Sequence, residues 1–175
     1  MAILTQTKPG RNPAPEGVHI GVVVDVIDRG VVHHDEFGSK PMVDVVWQLD
    51  EVDPDTRQRF LVSRRFNNSL NEKARLSPVV EALLGRAIEA RERRPLGFDL
   101  ETLLGKSCQV EVVQQPGKNG GIFARVERCM RLGRGMKSLK SDGQYARDGE
   151  SAPKQTSTGS ENDAEQERFP FENGE

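Results

Sequence analysis

Arg57, Arg59 and Arg65 take one parity in the segment RQRFLVSRRF (57–66), and Phe60 and Val62 take the other. In an extended strand this spacing puts three guanidinium groups on one face and the apolar groups on the opposite face. Arg64 and Phe66 follow at the end of the segment, with Lys73 and Arg75 just beyond it. Farther along, Lys118 in QQPGKNGG and Arg125 in the strand after it could close a groove from its other side. Fixed cations beside flat rings suit a single nucleic-acid strand, whose phosphates need charge and whose bases need stacking platforms. Phe66 and Phe37, the latter in RGVVHHDEFGSK, are the candidate platforms, whereas Trp47 shares the parity of Val45 and Leu49 and is expected in the core. With so few aromatic side chains, binding is expected to depend strongly on salt. The competing reading pairs the arginines with Asp44, Glu51 and Asp55 as a solvated face.

Other chemistries find less support. GKS at Gly105–Ser107 lacks the glycine five positions earlier that a phosphate loop needs, because Leu100 stands there. Gly105 is more simply a turn. His33, His34, Asp35 and Glu36 share one loop, but adjacent residues of an extended chain point opposite ways and no Cys/His set has zinc spacing. Cys108 and Cys129 belong to no CxxC pair and read as small buried apolar residues. No nucleophile and base stand at telling spacing, so no catalytic residue, metal or cofactor is assigned and the chain is read as a non-enzyme.

The elements that must position these side chains can be read in outline. Residues 17–28 (GVHIGVVVDVID) form a long strand, with Val18, Ile20, Val22, Val24 and Val26 on one face and Val23 and Ile27 on the other. Residues 29–40 read as a loop. In 41–49, Val43, Val45, Trp47 and Leu49 point inward while Asp44, Val46 and Gln48 point outward, and DEVDPDT turns the chain into 57–66. Ser77 and Pro78 mark a helix start, as N-cap and first helical residue, and Gly85 marks its end. Residues 86–94 extend as a second helix before Pro95. Strands at 108–113 and 122–130 follow, joined by a hairpin turn. Three strands, a helical insertion and two strands is the order of a five-stranded OB-type barrel.

Charge divides the chain into three. Residues 1–130 hold 18 basic and 18 acidic residues, 131–147 five and one, and 148–175 two and eight. The expected organisation is a flexible arm at 1–16, a domain at 17–130, and a disordered tail at 131–175, basic to 147 and acidic thereafter. The tail carries Phe169, Pro170 and Phe171 in ERFPFENGE, a candidate motif for docking into a partner's pocket. It could also compete with nucleic acid as an internal polyanion. No apolar run reaches membrane-spanning length and the first residues lack a signal-peptide pattern, so a cytoplasmic protein without membrane partners is expected.

VSRRFNNSLNEKARL (62–76) and GFDLETLLGKSCQVEVV (97–113), together with PEGVHIGVVVDVID near the start, resemble small OB-type proteins of phages and prophages regarded as single-stranded DNA-binding proteins. The resemblance covers about 15–130. It implies an OB barrel that coats single strands in phage or mobile-element replication or recombination, with an acidic aromatic-tipped tail that recruits a replication or recombination protein. Bacterial single-strand binders usually place Pro-Phe at the extreme terminus, whereas ENGE follows Phe171 here. The expected partners are single-stranded DNA, with RNA open as an alternative, and further copies of the chain. The rival expectation is an OB-type protein–protein adaptor that binds no nucleic acid, supported by the neutral charge of residues 1–130.

Overall fold

The computed structural model describes residues 12–147; the expectations placed on 1–11 and on 148–175, including Phe169, Pro170 and Phe171, lie outside them. Valine-rich alternation produces five strands: β1 (Gly17–His34), β2 (Gly38–Val52), β3 (Arg59–Asn67), β4 (Ser107–Pro116) and β5 (Ile122–Met130). They form one antiparallel sheet in the order β3-β2-β1-β4-β5, with helix α1 (Leu76–Leu84) and a 3-10 turn (Leu100–Leu103) between β3 and β4. The chain is therefore mainly β, with its helix where the sequence places it. No backbone ladder joins β3 to β5, so among the described residues the sheet is not closed into a barrel. No helix among them is long and apolar enough to cross a membrane, which says nothing of a β-barrel.

The main core lies on the inner face of the sheet under α1, and Trp47, Leu49, Leu76, Leu103 and Val110 are wholly buried there. Trp47 is thus a core residue, as its parity predicts. Gly21 on β1 makes room for it: a Cβ at that position would lie 3.3 Å from the Trp47 side chain and 3.2 Å from Val110. The parity expected for β1 holds only in its first half. A bulge between Val23 and Asp25 inserts an extra residue, so Val26 joins Val23 on the inner face while Val22 and Val24 stay outside.

The loop expected at 29–40 is mostly strand. Pairing continues from Val31↔Pro41 to His34↔Gly38, leaving only 35–37 as the turn. A second irregularity between Asp28 and Gly30, with Gly30 at φ 62°, keeps the two strands paired past the point where the apolar pattern stops.

The expected helix is present, with a different start. Arg75 is the N-cap and makes no side-chain cap, while Ser77 lies inside the first turn and donates its hydroxyl to the Asn71 carbonyl, 2.8 Å away. Gly85 closes the helix in the left-handed conformation, as expected. The second helix expected at 86–94 does not form, and these residues make turns instead. Side-chain competition explains the loss. Glu81 accepts from the Ile88 N–H and from Arg93, and Arg86 grips Glu92 with two bonds of 2.8 and 2.7 Å.

Contacts with the sheet extend beyond 17–130 on both sides. Ala14 is buried, and Asn12 donates to Asp53 at 3.1 Å and Asp55 at 2.6 Å, so residues 12–16 are not a free arm. Residues 131–147, expected to be disordered, lie as a strap across the outer face of the sheet. Leu139 and Tyr145 pack with Val22, Val24 and Val46, an apolar patch that the bulge in β1 leaves facing outward. Ser107 and Leu139 exchange two hydrogen bonds (2.7 and 2.9 Å), and Gln48 and Asp142 exchange two more (2.6 and 3.0 Å). Asp25, 2% exposed, accepts from the Tyr145 hydroxyl at 2.9 Å and from Arg147 Nε at 2.8 Å. The strap has no secondary structure and too little hydrophobicity to reveal itself by periodicity. It is ordered by polar anchors spaced along it.

Candidate nucleic-acid interface

The basic side chains expected to form one surface divide among three places. Alternation along β3 puts Phe60, Val62, Arg64 and Phe66 towards the core side, and Arg59, Leu61, Ser63 and Arg65 on the outer face. Arg64 and Arg65 therefore leave the strand in opposite directions.

On the outer face, Arg65 holds Asp44 with bonds of 2.7 and 3.1 Å, and Arg29 reaches the same carboxylate at 2.7 Å. The Arg65 hydrogen bond, with Arg29 adding to it, keeps the Asp44 carboxyl below the usual carboxylate range against the opposing effect of burial. The same bond pushes the Arg65 guanidinium up. This is the pairing that the solvated-face reading expected for Arg65. Glu51 and Asp55 instead face His19 and Asn12. Arg59 donates to the Lys140 carbonyl at 2.7 Å, so the strap has claimed it.

At the seam between β3 and β5, Arg64 does structural work. Its Nη1 donates to the carbonyls of Val126 (2.7 Å) and Glu127, and its guanidinium stands 5.5 Å from the Phe66 ring centre. Burial holds its guanidinium below the ordinary arginine value. Phe66 is only 4% exposed, which removes it as a stacking platform: inner parity puts its ring in the core. Beside the seam lies an open groove of about 580 Å³, floored by Phe66, Val79 and Val126 and rimmed by Arg64, Arg75 and Arg128. Arg128 is paired with Glu111 at 2.9 Å, and Arg75 enters no ion pair among the described residues.

The third place is the set of turns and hairpin tips. Arg57, Lys73 and Lys118 are exposed in turns, Arg57 with φ 56° and its N–H bonded to Asp53. Arg125 on β5 is half-buried and paired with Glu127 at 2.9 Å. Phe37, 67% exposed at the β1–β2 tip, meets His34 edge-on and has the Lys40 ammonium 5.9 Å from its ring centre. The β4–β5 hairpin, where Lys118 was expected to contribute, carries an exposed ring that the sequence does not single out. Phe123 is 46% exposed beside the turn that holds Lys118, and Ile122 next to it is also exposed. The available signal was parity, since Phe123 alternates with Arg125 on the side of β5 opposite Ala124 and Val126.

No protein-family model and no curated protein matches this chain. Cys108 and Cys129 are free and buried, and the Cys108 hydrogen bond together with burial pushes the Cys129 thiol far up, which makes it a poor nucleophile.

Proposed function

We propose that this protein binds single-stranded DNA without preference for sequence and without catalysis, as an incomplete OB-type barrel. The observation that carries the reading is the pair of hairpin tips, each with an exposed phenylalanine: Phe37, whose ring centre is 5.9 Å from the Lys40 ammonium, and Phe123, in the hairpin whose turn holds Lys118. A stacking ring beside a cation is what a base and its phosphate require. The strand order also fits, because an OB barrel presents the loops between strands one and two and between strands four and five to its ligand. In this reading, closure of the barrel falls to the Arg64 side chain instead of a backbone ladder between β3 and β5. The protein coats single strands in phage or mobile-element replication or recombination, and its acidic tail recruits a replication or recombination protein through Phe169, Pro170 and Phe171.

The test is fluorescence anisotropy with a labelled single strand about 30 nucleotides long, enough for at least one OB site, at low and moderate salt. A duplex of equal length and a chain ending at Arg147 run beside it. Binding selective for the single strand and weakened by salt is expected. Equal binding of the duplex, or no binding at low salt by either chain, would sink the proposal.

A second reading, a protein–protein adaptor, draws on the same tip: Ile122 and Phe123 also offer an apolar contact for a protein. Partners captured by the full chain and lost on Ile122→Ser with Phe123→Ser, together with no DNA retention, would favour it.

A further inference from the structure

The strap does more than cover an apolar patch. Its anchors are backbone groups of Arg131, Leu139, Lys140 and Asp142 and side chains of Asp142, Tyr145 and Arg147. Those contacts leave the side chains of Arg131, Arg134, Lys137 and Lys140 exposed, and none enters an ion pair among the described residues. The fifth cation, Arg147, is spent on Asp25 and Glu101. The strap's acid, Asp142, is turned to Gln48.

We infer that the strap is a phosphate track: Arg131, Arg134, Lys137 and Lys140, fixed across the outer face of the sheet, bind the backbone of a single nucleic-acid strand. The inference deepens the single-strand reading and rests on it. Three observations support it. The strap contains the densest unpaired positive charge in the described residues, whereas Arg59, Arg64, Arg65, Arg125 and Arg128 are each engaged by a carbonyl or a carboxylate. Its anchors are made in the folded state, so the backbone at Arg131 and at Lys140 is held in place without the ordering cost of a free tail, with Arg134 and Lys137 spanned between them. Its position also fits. Along β1 it covers Val22, Val24 and Asp25, between Gly17, which pairs with Val112 near the β4–β5 tip, and His34, which closes the β1–β2 tip. Gln109 on β4 donates to the Arg131 carbonyl and Arg59 on β3 donates to the Lys140 carbonyl, so the run of cations begins at one side of the sheet and ends at the other.

The experiment uses the full chain carrying Arg131→Gln, Arg134→Gln, Lys137→Gln and Lys140→Gln. All anchors survive these changes, so the melting temperature should stay at the wild-type value. Each lost phosphate contact removes about 0.7 from the slope of log affinity against log salt. The slope for single-stranded DNA should therefore become shallower by about 3. A Phe37→Ala, Phe123→Ala chain serves as the contrast, since it should bind more weakly with an unchanged slope. Wild-type binding whose slope the four substitutions leave intact would overturn the phosphate track and spare the single-strand reading. Failure of the wild-type chain to bind at low salt would overturn both.

Discussion

Arg64 shows how far a residue's role can depart from its type. It looks like a ligand contact in the sequence, yet its guanidinium is committed to two carbonyls of β5 across the open seam. Arg64→Met should strand those acceptors and cost about 1.5–3 kcal/mol, the range for hydrogen bonds to a charged group, read as a lower urea midpoint. A large loss of DNA affinity with unchanged stability would contradict that assignment. Glu92 gives a prediction in pH. Arg86 and the Glu89 N–H hold its carboxyl down from 4.5 to about 2. A depressed carboxylate stabilises the fold above its unfolded value, and that contribution disappears as pH falls through the folded one. Melting temperature should therefore decline between about 4.5 and 2, and Glu92→Gln should flatten part of that decline. An equally steep decline in the variant would assign the acid sensitivity to other carboxylates, with Asp44 the next to test.

At the scale of elements, alternation made the strands legible. Val43, Val45, Trp47 and Leu49 announce β2, and Gly85 announces the end of α1. Alternation failed where backbone irregularity intervened: the bulge after Val23 reversed the later half of β1, and pairing ran on through Val31–His34 without an apolar face to signal it. The candidate site was legible only in part. Arg57, Lys73, Arg75, Lys118 and Phe37 are exposed as expected, but Phe66 is not, and the partners of Arg59 and Arg65 could not be known before the sheet brought them together. Least legible was the strap, whose polar composition reads as solvated chain. Its contribution is open to measurement. Arg147→Ala leaves Asp25 a buried carboxylate held by Tyr145 alone, and breaking such a pair costs about 3–5 kcal/mol. Ending the chain at Met130 should cost more, because Val22, Val24 and Val46 are uncovered as well. Chemical denaturation of both chains checks this, and wild-type midpoints would mean that the strap is dispensable to the fold.

For the whole molecule, stacking and charge belong to different parts of the surface. The tips supply rings, and substituting Phe37 and Phe123 with alanine should cost about 1–3 kcal/mol of binding for each base that loses its platform. Neither ring belongs to the core, so thermal stability should hardly move; a large drop in melting temperature would make them structural instead. The pairing of Asp25 also bears on how the chain is made. Its two partners are encoded 120 and 122 residues later. At synthesis rates of about 5–20 residues per second, roughly 6–24 s pass before they exist. Until then a nascent chain carries an uncapped acid and an apolar outer stripe on its first long hairpin, so the last-made residues of the domain protect the first-made ones. Before Tyr145 and Arg147 arrive, the hairpin of β1 and β2 can adhere to its neighbours through that stripe.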